Sequence, residues 1–315
     1  FFMKKSILAV AVILGSTAFA QKMESKHGEA YLPAAEDWAI GIDATPFLNY
    51  FGNLIGGNGT NVAPTWNYLT TNQTITGKYF VEDDMAYRAS IRLGFGSAGE
   101  KVMVADRSID PTLPSTWPTP AAEVENTAKY GSTNIGIGVG MEKRRGFGRL
   151  QGFYGAELGI GISSMKETYT YGNALTLSTS NVDVSVDAAD DFTGGSMGTS
   201  LTTDVDGQGN TNGARITEYK SGLGFGIGLR GFIGAEYFVM PRLAVGGEFG
   251  WGLVFTSQGA SSTTYETEGM TATGTVEQIE SITTEGSKSS GFGVDTDSVN
   301  SVFGPAGSLR ITFHF

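Results

Sequence analysis

Residues 308–315 read Ser-Leu-Arg-Ile-Thr-Phe-His-Phe, and this alternation of polar and apolar side chains decides the fold class. Successive side chains of a β-strand point to opposite faces, so a period of two predicts a strand with one apolar face. The apolar face comprises Leu309, Ile311, Phe313 and Phe315. The opposite face comprises Ser308, Arg310, Thr312 and His314. The segment is therefore predicted to be a strand between an apolar and a polar environment.

The same alternation recurs in seven segments upstream. Their apolar positions lie within Trp38–Tyr50, Ile75–Val81, Tyr87–Phe95, Ile135–Met141, Leu150–Ile162, Leu223–Tyr237 and Leu243–Phe255. A soluble β-sandwich also alternates, so the period alone does not distinguish a soluble from a membrane protein. Aromatic residues near the predicted strand ends suit the girdles of a membrane barrel: Trp38, Tyr50, Tyr87, Tyr237, Phe255 and Phe303. We predict an all-β fold, a closed antiparallel transmembrane β-barrel of eight strands.

Charged residues lie on the face opposite the large apolar ones and are balanced in sign. The acidic members are Asp43, Glu82, Glu142, Glu157, Glu236 and Glu248, and the basic members are Lys78, Arg88, Arg92, Arg230, Arg242 and Arg310. Balance suits an enclosed lumen, where an unpaired charge is costly. All of them except Arg242 are candidate members of an ion-pair network in the lumen.

The predicted connections alternate between short and long. Short turns occur at 82–84, 144–146 and 240–241, whereas the long loops run over 54–73, 98–130, 164–217 and 257–300. This asymmetry is typical of outer-membrane barrels, whose short turns are periplasmic and whose long loops are extracellular. An even number of strands then places both termini in the periplasm.

The fourth long loop contains a candidate for two further strands. Thr263, Thr264, Tyr265 and Val276 favour a hairpin, but the glutamates between them leave no apolar face. We therefore interpret the segment as an extracellular extension above the membrane and not as a ninth and tenth crossing strand.

The N-terminus has the layout of a secretory signal peptide. Lys4 and Lys5 precede the apolar run Ile7–Leu14, and Ala18-Phe19-Ala20 forms an A-x-A cleavage site. The apolar stretch is shorter than the ~20 residues that a membrane helix needs. We expect residues 1–20 to be a signal peptide with two extra residues at its start, 21–36 a periplasmic tail and 37–315 the barrel.

Composition argues against several classes of function. The chain has no cysteine, only two histidines and a net charge of −11. A nucleic-acid partner is not expected, since phosphates require a basic surface. His27 in the tail and His314 at the periplasmic rim do not suit a general base on the extracellular side, so no enzyme activity, catalytic residue or cofactor is expected. The Asp204–Asn212 segment resembles part of a calcium loop but lacks its final Glu, and a solvated turn explains it, so no metal site is predicted.

From Trp38 to Phe315 the sequence resembles the eight-stranded outer-membrane β-barrel families of Gram-negative bacteria, including the membrane domain of outer membrane protein A. The resemblance is carried by the segment 229–238, the turn Met240-Pro241-Arg242 and the terminal Phe315. It implies that Leu309, Ile311, Phe313 and Phe315 form the signal that the barrel-assembly machinery reads. No peptidoglycan-binding domain follows the last strand here, so cell-wall anchoring is not implied.

These patterns predict a structural or surface-interaction protein of the outer membrane and cell envelope that displays long acidic loops. Its expected partners are outer-membrane lipid and, through the loops, other proteins. Two alternatives stay open: a narrow, porin-like channel for small solutes, and an accessory subunit of a larger outer-membrane complex. Glycines on the lumen face, among them Gly136, Gly161, Gly224 and Gly226, leave room either for an extracellular vestibule or for Phe47, Phe51 and Phe153.

Overall fold

The computed structural model describes residues 24–44, 50, 75–106, 122–175, 192–194, 214–270, 276–294 and 307–315. These residues form twelve strands: β1 Trp38–Asp43, β2 Ile75–Glu82, β3 Met85–Ala105, β4 Glu123–Phe147, β5 Leu150–Thr170, β6 Arg215–Lys220, β7 Gly224–Met240, β8 Leu243–Gln258, β9 Ser262–Met270, β10 Val276–Glu285, β11 Ser289–Val294 and β12 Gly307–His314. Within these ranges, none of the helices has the length and apolar character needed to cross a membrane.

Eight of the strands form a closed ring. The order is β1-β2-β3-β4-β5-β7-β8-β12, and β12 pairs with β1 to complete it. All of these pairs are antiparallel, and the closing ladder joins Ala39–Asp43 to Arg310–His314. The predicted all-β antiparallel fold is confirmed, and the ring runs through the eight segments that the alternation marked.

The two faces of the ring differ in chemistry. Large apolar side chains project outward and are exposed, as in Leu229 at 55% and Phe249 at 57%. The predicted aromatic residues Trp38, Tyr87 and Tyr237 belong to this outer face. The inner face carries buried charged, aromatic and small side chains. The ring therefore has a polar interior and an apolar exterior.

Three of the predicted long loops contain strands, so the loop boundaries at 98–130, 164–217 and 257–300 were wrong. β3 continues to Ala105 and β4 begins at Glu123, β6 begins inside the third predicted loop, and β9, β10 and β11 lie inside the fourth. β9 and β10 form the hairpin that the intervening glutamates argued against. The hairpin lies outside the ring, where β6 connects it to the far end of β5, and this pairing does not depend on an apolar face. The first loop, 54–73, lies outside the described residues, and so do Phe47 and Phe51.

Beyond the ring, the strands β3, β4 and β5 continue together with β6, β9 and β10 as one sheet, which we call the extension. Its inner face has a small apolar core of its own. The buried members are Ala128, Tyr169, Phe192 and Ile216, and partly buried Val102, Tyr130, Tyr171 and Tyr265 pack against them. Polarity is thus reversed along the same strands, since the ring buries charges and the extension buries apolar side chains.

The N-terminal segment packs across the opposite end of the ring, where the short turns lie. Tyr31 is buried against Phe238 and Ala244, and Arg149 donates a hydrogen bond to its hydroxyl at 2.6 Å. The turn between β4 and β5 is formed by Gly148 and Arg149, with Gly148 at a φ of 61°. A positive φ favours glycine because it has no Cβ. The described part of the predicted tail therefore covers the turn end of the ring.

Replacement of Ile216 by Ala tests whether the extension has a core separate from the ring. Removing this buried side chain should destabilise the extension by about 2–5 kcal/mol, because it leaves a cavity beside Tyr169. Hydrogen exchange should then accelerate at β6 and β9 but not at β1 and β12. Ile282→Ala on β10, where the side chain is only partly buried, is the matched control. Equal acceleration throughout the ring would contradict a separate core.

Candidate functional site

The inner face of the ring concentrates buried ionisable side chains between the turn end and the middle of the strands. Those buried or nearly so are Asp43, Lys78, Arg88, Arg92, Glu142, Arg144, Glu157, Arg230, Glu236, Glu248 and Arg310. They come from β1, β2, β3, β4, β5, β7, β8 and β12. Closure of the ring brings them together from distant parts of the chain, and we call them the interior cluster.

Glu248 lies at the centre of the part of the interior cluster that is farther from the turn end. Its carboxylate accepts hydrogen bonds from Arg88 at 2.5 and 3.0 Å, from Arg230 at 2.9 Å and from Arg310 at 3.3 Å. Glu157 pairs with Arg88 and Arg230, both at 3.2 Å. A buried charge is tolerated when partners of opposite sign surround it. These five side chains therefore form one connected network across the ring.

A second group lies closer to the turn end. Lys78 donates to Glu142 at 2.8 Å and lies 4.0 Å from Glu236. Arg144 pairs with Glu236 and lies 3.5 Å from Glu142. Arg88 lies 3.9 Å from Glu142 and so connects this group to the group around Glu248. The two groups form a continuous layer of paired charges.

Two predicted members of the balanced set do not lie in the interior, and one member was missed. Glu82 is exposed at the end of β2, and Arg242 is exposed at the turn with a φ of 62°. Arg144 was assigned to a turn, but β4 continues through it and buries it. Arg144 is two residues after Glu142 and therefore points to the same face of the strand, so extending the alternation by one more pair would have predicted that Arg144 lies inside. Asp43 and Arg92 are buried on the inner face, and each has an interaction partner.

Aromatic rings and glycine fill the space around the charges. Arg88 lies over Phe232 at 4.3 Å, Lys78 over Phe153 at 4.8 Å and Arg144 over Phe80 at 5.0 Å. Cations above ring faces gain electrostatic stabilisation. At Gly250 a Cβ would overlap the guanidinium of Arg230. Glycine on this face therefore makes room for an arginine side chain.

The C-terminal strand has apolar side chains on its outer face and polar side chains on its inner face. Leu309, Phe313 and Phe315 are exposed on the outer face, with Ile311 partly exposed between them. His314 points inward and is buried between the rings of Phe80 and Phe238. Neither ring nitrogen of His314 has a hydrogen-bond partner in the part of the chain that the structure describes. Its surroundings are apolar rings and nearby cations.

A cavity of about 460 Å³ borders the interior cluster at Arg92, on the side toward the loop end of the ring. Its lining includes Arg92, Asn134, Gln258 and the predicted vestibule glycines Gly136, Gly161, Gly224 and Gly226. Phe153 lies instead with Lys78 near the turn end. Glycines therefore serve two purposes inside the ring, since Gly250 accommodates an arginine and the glycines above it leave space.

The extension holds a short piece of the third loop through Glu100. The carboxylate accepts hydrogen bonds from the backbone N–H groups of Thr193 and Gly194, both at 2.9 Å, and from the Thr193 hydroxyl at 2.7 Å. These bonds, that of the Thr193 backbone first, hold the pKa of Glu100 below its usual value of 4.5. The adjacent Phe192 inserts into the apolar core of the extension. Loop and strand are thus joined by polar and apolar contacts.

Two more polar contacts complete this region. Arg215 pairs with Glu266 at 2.9 Å and lies over the ring of Tyr171 at 4.4 Å. The Tyr169 hydroxyl donates to buried Glu167 at 2.6 Å. No group of three or more histidine and carboxylate side chains is placed to hold a metal ion in the described ranges. The Asp204–Asn212 segment lies outside them.

Replacement of Glu248 by Gln should strongly destabilise the ring. The substitution leaves Arg88, Arg230 and Arg310 beside a neutral amide, and breaking a buried ion pair costs about 3–5 kcal/mol. Equilibrium urea unfolding followed by tryptophan fluorescence measures the loss. Glu285→Gln, at an exposed position of β10, is the control and should leave the midpoint unchanged. Equal midpoints for the two variants would show that the cluster contributes nothing to stability.

Acid should release the 192–194 segment from the extension. A carboxylate whose pKa is lowered by folding stabilises the folded form above its unfolded pKa, and that contribution is lost as the pH falls through the lowered value. Proteolysis within the third loop should therefore rise below about pH 4.5. Glu100→Gln should raise it already at neutral pH, while Glu123→Gln should not. Cleavage that is independent of both pH and Glu100 would refute the clamp.

Comparison with protein-family models, with curated proteins and with solved structures found no match to this chain. The geometry of its ring, interior cluster and extension is therefore the basis for a functional proposal.

Proposed function

We propose that this chain is an eight-stranded β-barrel of the bacterial outer membrane, and that its role is to hold a folded β-sheet extension and acidic loops at the cell surface. The observation that supports this proposal most directly is a closed ring with an exposed apolar exterior and paired charges inside. In this orientation the turn end and both termini face the periplasm, and the loop end faces outward. The barrel-assembly machinery would recognise Leu309, Ile311, Phe313 and Phe315 on the outer face of β12.

The dimensions of the outer face support membrane insertion. The apolar outward positions of β5 run from Leu150 to Ile162, which at ~3.3 Å per residue is about 40 Å along the strand. A strand tilt of ~40° reduces this to about 30 Å, the thickness of a hydrocarbon core. Backbone groups in hydrocarbon must be paired within the protein, and a closed ring meets that requirement. Exposure of so many large apolar side chains to water would instead promote aggregation.

The interior favours a structural role over conduction. Glu142, Arg88 and Glu157 are at most 3% exposed, so water has little access to the level at which they lie. An eight-stranded barrel is just wide enough for its own side chains. The aromatic residues and the N-terminal segment near the turn end add further obstruction. These contacts support a closed interior that stabilises the barrel.

The extension supports a role in surface interaction. Its strands project beyond the apolar part of the ring, and an internal core and the Glu100 clamp keep it folded. Residues of the third and fourth loops add acidic side chains, including Asp190, Asp191, Glu280 and Glu285. A rigid sheet that displays loops is suited to contacts with other macromolecules. If the chain is an accessory subunit of a larger complex, its role is the same surface interaction, and the partner is another membrane protein.

A narrow channel is the second candidate, and the 460 Å³ cavity beside Arg92 is the observation that favours it. Planar-bilayer recording separates the two functions. We expect a folded, heat-modifiable protein without steady unitary conductance. Discrete and reproducible openings would favour the channel, and more so if Glu248→Gln enlarged them. Co-purification after mild detergent extraction tests for a partner in the membrane.

Replacement of Leu229 by Arg tests the orientation of the outer face. A charged side chain near the middle of the bilayer should destabilise the inserted protein by ~2–4 kcal/mol. Unfolding by urea from lipid vesicles measures this loss. Thr168→Arg is the control, since Thr168 points outward on the extension and should tolerate the charge. If Leu229→Arg were as harmless as the control, the ring would not face lipid there.

A further inference from the structure

A row of lysines lies on the outer face of the extension. Lys166 and Lys220 are directly paired across β5 and β6, while Lys129 and Lys101 occupy outward positions of β4 and β3. All four side chains are exposed, Lys101 at 67% and Lys166 at 53%. We call these four residues the lysine row.

The row lies just beyond the end of the apolar outer face. On β5 the outward positions after Ile162 are Ser164 and Lys166, so the lysine lies about 13 Å further along the strand at ~3.3 Å per residue. Strand tilt of ~40° reduces the height to about 10 Å. A lysine side chain can also bend its ammonium group back toward the membrane interface. Lys129 and Lys101 lie six residues beyond Ile135 and Phe95, which is about 15 Å in height after the same tilt, so the row spans heights of about 10–15 Å above the apolar face, next to the headgroup layer of an inserted protein.

Positive charge at this level contrasts with the rest of the chain, whose net charge is −11. Glu125 pairs with Lys101 at 2.8 Å, and Glu218 pairs with Lys166 at 2.6 Å and also with Lys220. Exposed pairs of this kind are weak and exchange readily. Lys129 has no carboxylate within salt-bridge distance in the described part of the chain. Cations thus outnumber carboxylates along the row.

The lysines point away from the apolar core of the extension. Residues of opposite parity on the same strands, such as Ala128, Tyr130 and Tyr169, form its inner core. Between the apolar face and the row, the outward residues are small or polar, as in Ser97, Gly99 and Gly131 on β3 and β4. A headgroup can approach the lysines over this strip without a steric barrier.

We propose that the lysine row binds the phosphate groups of anionic lipids in the outer leaflet, an inference that rests on the proposed membrane insertion. Basic residues next to a membrane surface attract anionic headgroups, and lysine is a common phosphate ligand. The expected occupant is a phosphorylated lipid whose acyl chains lie against the apolar outer face. The interaction holds the extension at a defined height above the hydrocarbon.

The test uses the folded full-length protein in uncharged detergent and in phosphatidylcholine vesicles, with diphosphorylated lipid A as the probe. Added lipid A should raise the midpoint of thermal unfolding, since a ligand of the folded state stabilises it. The triple variant Lys129→Gln, Lys166→Gln, Lys220→Gln should bind lipid A about fivefold more weakly for each lysine removed. Lys26→Gln with Lys143→Gln, near the turn end, is the control and should bind as the wild type does.

A second pair of substitutions should change the affinity for lipid A in the opposite direction. Glu125→Gln with Glu218→Gln frees the lysines from their carboxylates and should strengthen binding, whereas dephosphorylated lipid A should bind no variant. The proposal is overturned if the triple variant binds lipid A like the wild type while inserting normally into vesicles. Equal saturation by inorganic phosphate would also overturn it, since the site would not need a lipid. Failure of the wild type to insert into vesicles would refute the proposed function itself.

Discussion

Antiparallel pairing of β1 with β12 is the interaction on which the rest of the molecule depends. It gives every strand of the ring two neighbours, so the ring has no free edge at this level. Closure also creates an interior from which water is largely excluded. Charged side chains in that space need partners, and the network centred on Glu248 supplies them from β3, β7 and β12. The closing ladder and the interior cluster therefore stabilise each other.

A reversal of polarity along shared strands divides the molecule into two levels. In the ring, β3 directs Arg88 inward and Leu93 outward. Further along the same strand, Val102 packs inward against an apolar core and Lys101 faces outward. No loop or hinge separates the levels, because β3, β4 and β5 continue through both. The two levels therefore differ in their side chains and not in the course of the backbone.

The ring could be predicted from the sequence because each of its strands carries a strict period of two. Leu309, Ile311 and Phe313 form one face whatever their neighbours are, since side-chain direction is a local property of extended backbone. Extending that parity would also have placed Arg144 inside. The strands of the extension could not be predicted from the sequence by the same periodicity. β9 and β10 lie beyond the ring and have no apolar face of strict period two, and backbone pairing with β6 holds them.

The sequence by itself determined the strand periodicity in the ring, the facing of most of its side chains and the sign of most of the charges that are enclosed. Only the tertiary structure decided which charges meet. Arg88 and Glu248 are 160 residues apart, and their contact depends on the register of every ladder around the ring. The same holds for the cavity beside Arg92 and for the Glu100 clamp. Local patterns specify the direction of a side chain, whereas its partners follow from ring closure.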